Sequence, residues 1–536
     1  MSEPPSESAR LQTLEAQARL NEAADETLEL ALRDRLALDA TLRSMLPLLA
    51  AHTGAAAVWL RTYDEELRMR DFRYGPEITG DMEDVWRATS DGNRVQRQQG
   101  ELFLVGQPLD VAGEIFGAAS LVFTEAIDPR RCGLAADLLN TWCEELDNYL
   151  APIARARRKA QTMRALSEAL RAPVLEEGIT KALEVLREAV PYDDLLLALR
   201  HHSDRAGTSL HYKIVQNGAL THDSSRPDME VDDFIRGHAG RLIQGESRAL
   251  VERFGLERSR EEVLISGLQN AHVIGRLCVT SKSGEFNTYD RDILERFADY
   301  LRQRVVDFNR EWHTLRLTFP APVARRLLDD ADYAERHLSP RVEEVAVLFA
   351  DISGFTRISE QVLKEPRRIG ELIDGWSRRV VEIVWETGGC FDKMVGDCII
   401  GLWGPPFHEM SADEACWGAA AAAHRIRALT AEYNTGKILP ELKDLDPPIG
   451  VATGLGYAPL CVGRFGPNED FTGFSSGMNN VARLQGVASC DEILCSEAFV
   501  SALGEKEGTR FGPELHAEVK NVAEPLRYRK LERGPE

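Results

Sequence analysis

The sequence predicts a multidomain α/β chain, and three observations carry that expectation. The chain is 536 residues long, short β-branched apolar runs alternate with helical stretches, and the order of these pieces repeats weakly before the last third. At about 100 to 200 residues per domain, the length suggests three to five domains. A formal charge of −22 with a pI near 5.1 argues against a nucleic-acid backbone or an anionic membrane as the main partner. The nine cysteines form no Cys-x-x-Cys pair and no histidine stands at zinc-finger spacing, which points to a reduced chain rather than a disulfide or zinc scaffold. No apolar run reaches the roughly 18 residues of a membrane span. Met1-Ser-Glu-Pro-Pro-Ser-Glu7 lacks a basic stretch followed by an apolar one, so the protein is read as cytoplasmic.

From Ser8 to about Leu48 the chain is rich in Ala, Leu, Glu and Arg, with no Gly or Pro until Pro47. Residues 1–48 are therefore expected to form a helical, self-associating segment. Residues 49–150 follow as a first α/β module. Gly54-Ala-Ala-Ala-Val-Trp-Leu60 reads as a buried strand, Glu114-Ile-Phe-Gly-Ala-Ala-Ser-Leu-Val-Phe123 ends a later strand pair, and a helix from about Arg131 to Leu150 closes the unit. A connector helix is expected over 151–175. Leu146, Leu150 and Ile153, then Met163, Leu166 and Leu170, fall at three- and four-residue spacing on one face, which suits a parallel dimer helix. The order recurs in residues 176–310: Asp194-Leu-Leu-Leu-Ala-Leu199, polar loops, Ala271-His-Val-Ile-Gly-Arg-Leu-Cys-Val-Thr280, and a closing helix from about Tyr289. His201 and His202 are read as exposed strand-end residues rather than ligands.

With Gly117 and Gly275 each early in the penultimate strand and an acidic helix start after it, the two modules resemble tandem GAF domains. The resemblance implies sensor modules that bind a small molecule or a protein signal, or that mediate dimerisation. The second copy carries Ser281-Lys-Ser-Gly-Glu-Phe-Asn-Thr-Tyr-Asp-Arg291, similar in part to the Asn-Lys…Phe-x-x-x-Asp-Glu pattern of cyclic-nucleotide-binding members and departing from it at Ser281 and Arg291. A dimeric strut without ligand is the alternative use of such a fold. A second connector runs from about Asp290 to Trp312. Residues 311–340 then link to the C-terminal part, and Leu317-Thr-Phe-Pro-Ala-Pro-Val-Ala-Arg-Arg-Leu-Leu328 begins a short helix with proline in its first turn.

Residues 341–536 hold the chemistry. Val345-Ala-Val-Leu-Phe-Ala350 has the composition and length of a strand and ends in Asp351, and Ile352-Ser-Gly-Phe-Thr356 then leads into a helix. Backbone N–H groups at such a helix start, loosened by Gly354, suit a triphosphate. Phe391 to Val395 and Cys398 to Trp403 are two apolar runs separated by Gly396-Asp397, a two-residue hairpin signal that puts Asp397 at a turn tip. Each aspartate alone has an ordinary reading, Asp351 as a helix cap and Asp397 as a turn residue. Together they form a pair of hard oxygen donors that magnesium or manganese prefers, because clustered carboxylates near a core need a counter-ion. A third segment, Phe471-Thr-Gly-Phe-Ser-Ser-Gly-Met-Asn-Asn-Val-Ala-Arg-Leu484, sets Asn479 and Arg483 four residues apart on one helix face.

In this order the three segments resemble the catalytic domain of class III nucleotidyl cyclases, a likeness covering the last third of the chain. The resemblance implies a ferredoxin-like βαββαβ sheet with flanking helices and a homodimer whose chains meet head to tail. It implies two Mg2+ or Mn2+ ions per site, held by Asp351, Asp397 and the backbone of Ile352, with Gly354, Phe355 and Thr356 against the phosphates. Asn479 would orient the ribose and Arg483 would meet charge developing on the α-phosphate. Lys393, donor-only, stands where adenylate cyclases carry the adenine-reading lysine and guanylate cyclases usually carry glutamate. Thr472 holds the second base-reading position, as in one bacterial-type subgroup, and its hydroxyl accepts from the adenine amino group. Lys520 falls near a further phosphate-binding lysine, although Asn521 replaces the usual glycine after it.

The expected activity is conversion of ATP to 3′,5′-cyclic AMP and pyrophosphate, regulated by the N-terminal modules. Thr472 also makes bicarbonate a candidate effector. Two alternatives stand beside this reading: a nucleotide-binding scaffold without turnover, and a guanylate cyclase, against which Lys393 argues.

Overall fold

The computed structural model describes residues 7–534 apart from positions 65, 67, 78–85, 90–92, 112, 126, 202–208, 227, 244–247, 257–259, 267–272, 282–285, 444, 505, 507 and 519–524. The chain divides into two compact units, Met1–Leu166 and Ser167–Glu536. Among the described residues no helix is long and apolar enough to cross a membrane.

In the first unit, α1 (Glu7–Arg33) and α2 (Leu38–Thr53) replace the single helical segment expected from composition. The break at residues 34–37 includes Arg35 at φ 53°, and α2 carries Pro47 in its interior. Gly54, expected to open a strand, instead ends α2 in the left-handed conformation (φ 65°), where only glycine escapes a Cβ penalty. Strands β1 (Ala57–Tyr63), β2 (Met69–Tyr74), β3 (Val95–Gln99), β4 (Leu102–Val111) and β5 (Glu114–Phe123) form an antiparallel sheet in the order β2-β1-β5-β4-β3. Its core includes Leu42, Leu60, Phe116 and Trp142. The closing helix and the connector are one continuous element, α3 (Pro129–Leu170), with Pro152 accommodated inside it. Leu146, Leu150, Leu166 and Leu170 are buried along it, and Ile153 and Met163 are partly buried, as their spacing predicts.

The second unit begins with α4 (Leu175–Ala189). Strands β6 (Asp194–His201), β7 (Ser209–Gln216) and β8 (Ala219–Asp223), helices α5 (Met229–Ile243) and α6 (Arg248–Arg253), and strands β9 (Arg260–Ser266) and β10 (Val273–Thr280) build a second antiparallel sheet, β8-β7-β6-β10-β9. Both sheets place their first strand between the second and the last, with the penultimate strand beyond the last, so the internal repeat is a repeat of topology. Among the described residues Gly117 and Gly275 lie in the last strand of each sheet, not the penultimate one. His201 ends β6. Its side chain, His202 and Lys282 to Glu285 lie outside the described residues. The second closing helix, α7 (Thr288–Thr318), starts at a capping box in which Asn287 and Asp290 satisfy each other's backbone N–H groups.

From α7 the chain turns into α8 (Ala321–Leu328) and α9 (Tyr333–His337). The C-terminal end of α7 is fastened to residues far along the chain: the Trp385 indole donates to the Thr318 carbonyl at 3.0 Å, Arg316 lies 4.6 Å over the Trp385 ring, and Phe319 meets Phe471 edge-on at 5.0 Å.

The C-terminal sheet is built from β11 (Arg341–Ile352), β12 (Cys390–Val395), β13 (Cys398–Trp403), β14 (Val451–Phe465), β15 (Asp470–Phe474), β16 (Ile493–Ser496), β17 (Arg510–Phe511), β18 (Leu515–Ala517) and β19 (Leu526–Arg533). Its path is β12-β13-β11-β14-β16-β19-β17, with β15 paired to β14 and β18 to β19. After β11 the helix expected beyond Ile352–Thr356 begins as the short α10 (Phe355–Arg357), continues as a π-helical turn (Ile358–Leu363), and is followed by the longer α11 (Pro366–Glu386) starting at the proline. Helix α12 (Ala412–Glu432) joins β13 to β14 and completes a βαββαβ order with the four strands arranged β12-β13-β11-β14. Buried Ala419, Ala420, Ala422 and Ala423 let α12 lie close against the sheet. Helix α13 (Ser476–Val487) is in close contact with the sheet: a Cβ on Gly454 would stand 2.6 Å from the Val481 carbonyl oxygen. Helix α14 (Glu497–Leu503) completes the described elements.

Candidate active site

Two clusters of polar side chains emerge from this sheet. The first lies where β11 ends beside the β12–β13 turn. Asp351 opposes Ala452 in the β11–β14 ladder, and Val395 pairs with Cys398 so that Gly396 (φ 65°) and Asp397 form the two-residue turn expected from sequence. The Asp351 and Asp397 carboxyls meet. Burial, and then the charge of Asp397, push the Asp351 pKa up to about 6, while the Gln485 side chain draws it down. The Asp397 pKa is raised by burial, against contributions from its own backbone, Asp351 and the Ile352 backbone. Asp397 Oδ2 is buried with no hydrogen-bond partner.

Two acids held together, each resisting ionisation, with an oxygen left unsatisfied, form a donor set for a cation. Among the described residues no group of three or more His, Cys, Asp or Glu side chains is placed to hold a metal. The residues present fit a divalent ion that takes only part of its coordination from the protein, with substrate oxygens and water supplying the rest. Gly354 (φ 72°) turns the chain after Ile352. Phe355 is half-buried and Thr356 is exposed beside it.

The second cluster joins residues distant in sequence. Lys393 on β12 donates from Nζ to Thr472 Oγ1 on β15 at 2.8 Å, and the same ammonium lies 5.2 Å from the centre of the exposed Phe474 ring. Thr472 opposes Gly463, eleven positions along β14 from Ala452, so the two clusters occupy different stretches of that strand.

Helix α13 shows which way the remaining candidates face. Ser475 caps it by accepting from the Met478 N–H. Asn479 is exposed, and Arg483 is held by Asn480, whose side-chain oxygen accepts from Nη1 at 2.9 Å. Gln485 reaches Asp351 of its own chain. At about 100° per residue, Arg483 lies about 200° around the helix from Gln485 and about 40° from Asn479. Asn479 and Arg483 therefore point away from their own chain's aspartate pair. Lys520 and Asn521 lie outside the described residues.

The sequence reading missed Gln485, Asn480 and Asp392. Asp392 carried one visible signal, an acid beside a lysine inside an otherwise apolar strand.

The family described as "Adenylate and Guanylate cyclase catalytic domain" matches residues 338–529. These residues are a class III cyclase catalytic domain. An uncharacterised protein of Mycobacterium tuberculosis is 26% identical over 226 residues, which is 41% of this chain and 38% of that protein. Adenylate cyclase 1 of Rhizobium meliloti is 25% identical over 218 residues, 40% of this chain and 31% of the relative. An adenylate cyclase of Streptomyces coelicolor is 27% identical over 175 residues, 33% and 36% of the two chains. The match thus spans less than two fifths of each of these relatives. Among solved structures, the adenylyl cyclase CyaB from P. aeruginosa aligns with a TM-score of 0.33 and 23% identity, over 36% of this chain and 96% of that one. The two sheets N-terminal to the cyclase domain lie outside the family match.

Proposed function

We propose that the protein is an adenylate cyclase, converting ATP to 3′,5′-cyclic AMP and pyrophosphate at sites shared by two copies of the chain. The observation that carries the substrate is the Lys393–Thr472 hydrogen bond, which brings together residues 79 positions apart. A donor-only ammonium suits the N1 acceptor of adenine, and the hydroxyl oxygen suits its amino group. Guanine presents the opposite pattern at both positions.

The shared site is supported by the opposed faces of α13, because Asn479 and Arg483 serve a nucleotide only if another chain supplies the aspartates. Divalent ions, when bound at Asp351, Asp397 and the Ile352 backbone, supply charge neutralisation to the polyphosphate. The chain's own contributions are positional. Lys393 and Thr472 hold the base, Asn479 orients the ribose, and Gly354, Phe355 and Thr356 line the approach to the phosphates. Arg483 meets negative charge as it grows at the α-phosphate during attack by the ribose 3′-oxygen.

Regulation through the N-terminal modules, read as GAF-like, is the remaining part of the proposal. It is supported by the attachment of α7 to the cyclase domain, where Phe319 meets Phe471, the residue before Thr472. A signal that shifts α7 reaches the base pocket through this contact. Bicarbonate is the candidate effector suggested by Thr472, and activity unchanged by added bicarbonate at constant pH removes it.

The test is cyclic nucleotide formation by the purified full-length chain with ATP or GTP, and with magnesium or manganese, beside an Asp397→Ala control. Cyclic AMP that disappears in the control is expected. Cyclic GMP as the main product overturns the substrate, and no product from either nucleotide favours a nucleotide-binding scaffold.

A further inference from the structure

The Asp392 side chain is fully enclosed, 0% exposed, and neither carboxylate oxygen has a hydrogen bond. A buried acid without a donor is costly, and folded chains rarely keep one without a use. Its position follows from a fault in the strand ladder. Phe391 pairs with Gly401 and Lys393 with Ile400, so Asp392 is the extra residue of a β-bulge. In an unbroken strand, neighbouring side chains point to opposite faces. The bulge re-aims them, and Lys393 Nζ comes to lie 3.8 Å from Asp392 Oδ2 while donating to Thr472. Burial raises the Asp392 pKa to about 6, with the Thr472 hydroxyl and then Lys393 pulling the other way. Thr472 itself is only 7% exposed.

A threonine hydroxyl has one proton and two lone pairs, and by swivelling it either donates or accepts. Alone, it accepts from the amino group of adenine or donates to the carbonyl of guanine with equal ease, so it is a poor discriminator. We propose that Asp392 is the positioning residue that makes Thr472 discriminate: the carboxylate, gathered with Thr472 around the Lys393 ammonium, attracts the hydroxyl hydrogen towards itself and so turns the oxygen's lone pairs to Lys393 and to the base. Lys393 then occupies one lone pair and the other faces the base. An exocyclic amino group satisfies it, whereas a carbonyl oxygen meets a lone pair with no proton between them. This rests on the reading of Lys393 and Thr472 as the base-reading pair. It adds that discrimination between amino and carbonyl purines is set by a carboxylate that does not touch the nucleotide.

The experiment compares kcat/KM for ATP and GTP in the wild-type chain, Asp392→Asn, Asp392→Ala, Thr472→Val, and Asp392→Asn combined with Thr472→Val. Equilibrium binding of non-cyclisable ATP and GTP analogues is measured in the same proteins, with circular dichroism to confirm folding. The wild-type chain is expected to favour the adenine nucleotide by about 100-fold or more, since a site with committed polar groups rejects the mismatched partner strongly. Either Asp392 variant is expected to lower that ratio about tenfold, chiefly through improved use of the guanine nucleotide. A merely structural role for Asp392 lowers both nucleotides alike and leaves the ratio in place. In the Thr472→Val background, Asp392→Asn is expected to leave the ratio where Thr472→Val alone puts it.

An ATP-selective wild type whose ratio survives both Asp392 substitutions overturns the inference, as does an equal drop with and without Thr472. A wild type that binds adenine and guanine nucleotides equally overturns it too. Failure of turnover with ATP and GTP counts against the cyclase reading, and the binding ratios in the same variants then decide the role of Asp392.

Discussion

Asp351 with Asp397 and Asp392 with Lys393 and Thr472 are two acidic clusters in one domain, and burial is the leading cause of a raised carboxyl pKa in both. They differ in what compensates the burial. Among the described residues the first pair has no cationic side chain among the causes of its pKa shifts, faces another acid, and leaves Asp397 Oδ2 without a partner. The second has an ammonium 3.8 Å away and a neighbouring hydroxyl, all from the same chain. On the reading proposed above, the first cluster takes its compensating charge from solution, whereas the second has an opposite charge within its own chain.

If that contrast is right, removing a carboxylate from the first cluster is the more damaging change. Asp351→Ala or Asp397→Ala is expected to lower cyclic nucleotide formation by about 1000-fold or more. Manganese is expected to raise the Tm of the wild-type chain, and the same substitution is expected to erase that rise. Because protons compete for the same oxygens, that rise shrinks as pH falls through about 6. A comparable collapse in Asp392→Asn, assayed with ATP, breaks the contrast.

Arg483→Ala is expected to cost about 100-fold in kcat with KM within about threefold, the signature of an interaction made in the transition state. Equal effects on kcat and substrate binding contradict that role.

Mixing the two defects sharpens the division of labour between chains. A one-to-one mixture of Asp397→Ala and Arg483→Ala chains, unfolded and refolded together, is expected to regain about a quarter of wild-type activity. Half the dimers are mixed, and one of the two sites in each is intact. No recovery indicates that each chain builds its own site.

The smallest expected effect is on stability. The Asp392 pKa lies above the ordinary value of 3.8, at about 6, so its charge opposes folding. The penalty is absent below about pH 4 and fully present above about pH 6. Asp392→Asn is therefore expected to raise Tm by about 5 °C at pH 7.5, and the gain should vanish near pH 4. A lower Tm at pH 7.5 means that Asp392 is a structural anchor rather than a stability cost kept for selectivity.

Much of the first cluster was legible because its parts are local: a strand ending in an acid, and a two-residue turn whose geometry Gly396 and Asp397 specify. The pairing of Lys393 with Thr472 was legible only through motif order, since nothing within either segment points to the other. Asp392 was not legible as a buried group, because a strand read by alternation assigns it to the opposite face from Lys393 and no local signal announces a bulge. Gln485 was hidden for a similar reason. Its contact with Asp351 depends on how closely α13 lies on Gly454, a matter of helix docking. The helix break at residues 34–37 and the continuity of α3 through Pro152 went against propensity, in both cases because packing decided where the chain turns.

Most element types, the repeated order of the first two sheets, the placement of Asp351 at a strand end and Asp397 at a turn, and the one-face placement of Asn479 with Arg483 could be read from the sequence. These follow from periodicity, turn preference and side-chain donors, which act over a few residues. Tertiary structure alone decided that Asp351 and Asp397 share one space, that Lys393 spends a hydrogen bond on Thr472, that Asp392 is sealed beside both, and that Arg483 faces away from its own aspartates. Those facts depend on strand register, a bulge and the rotation of a docked helix, which are set by the packing of segments far apart in sequence.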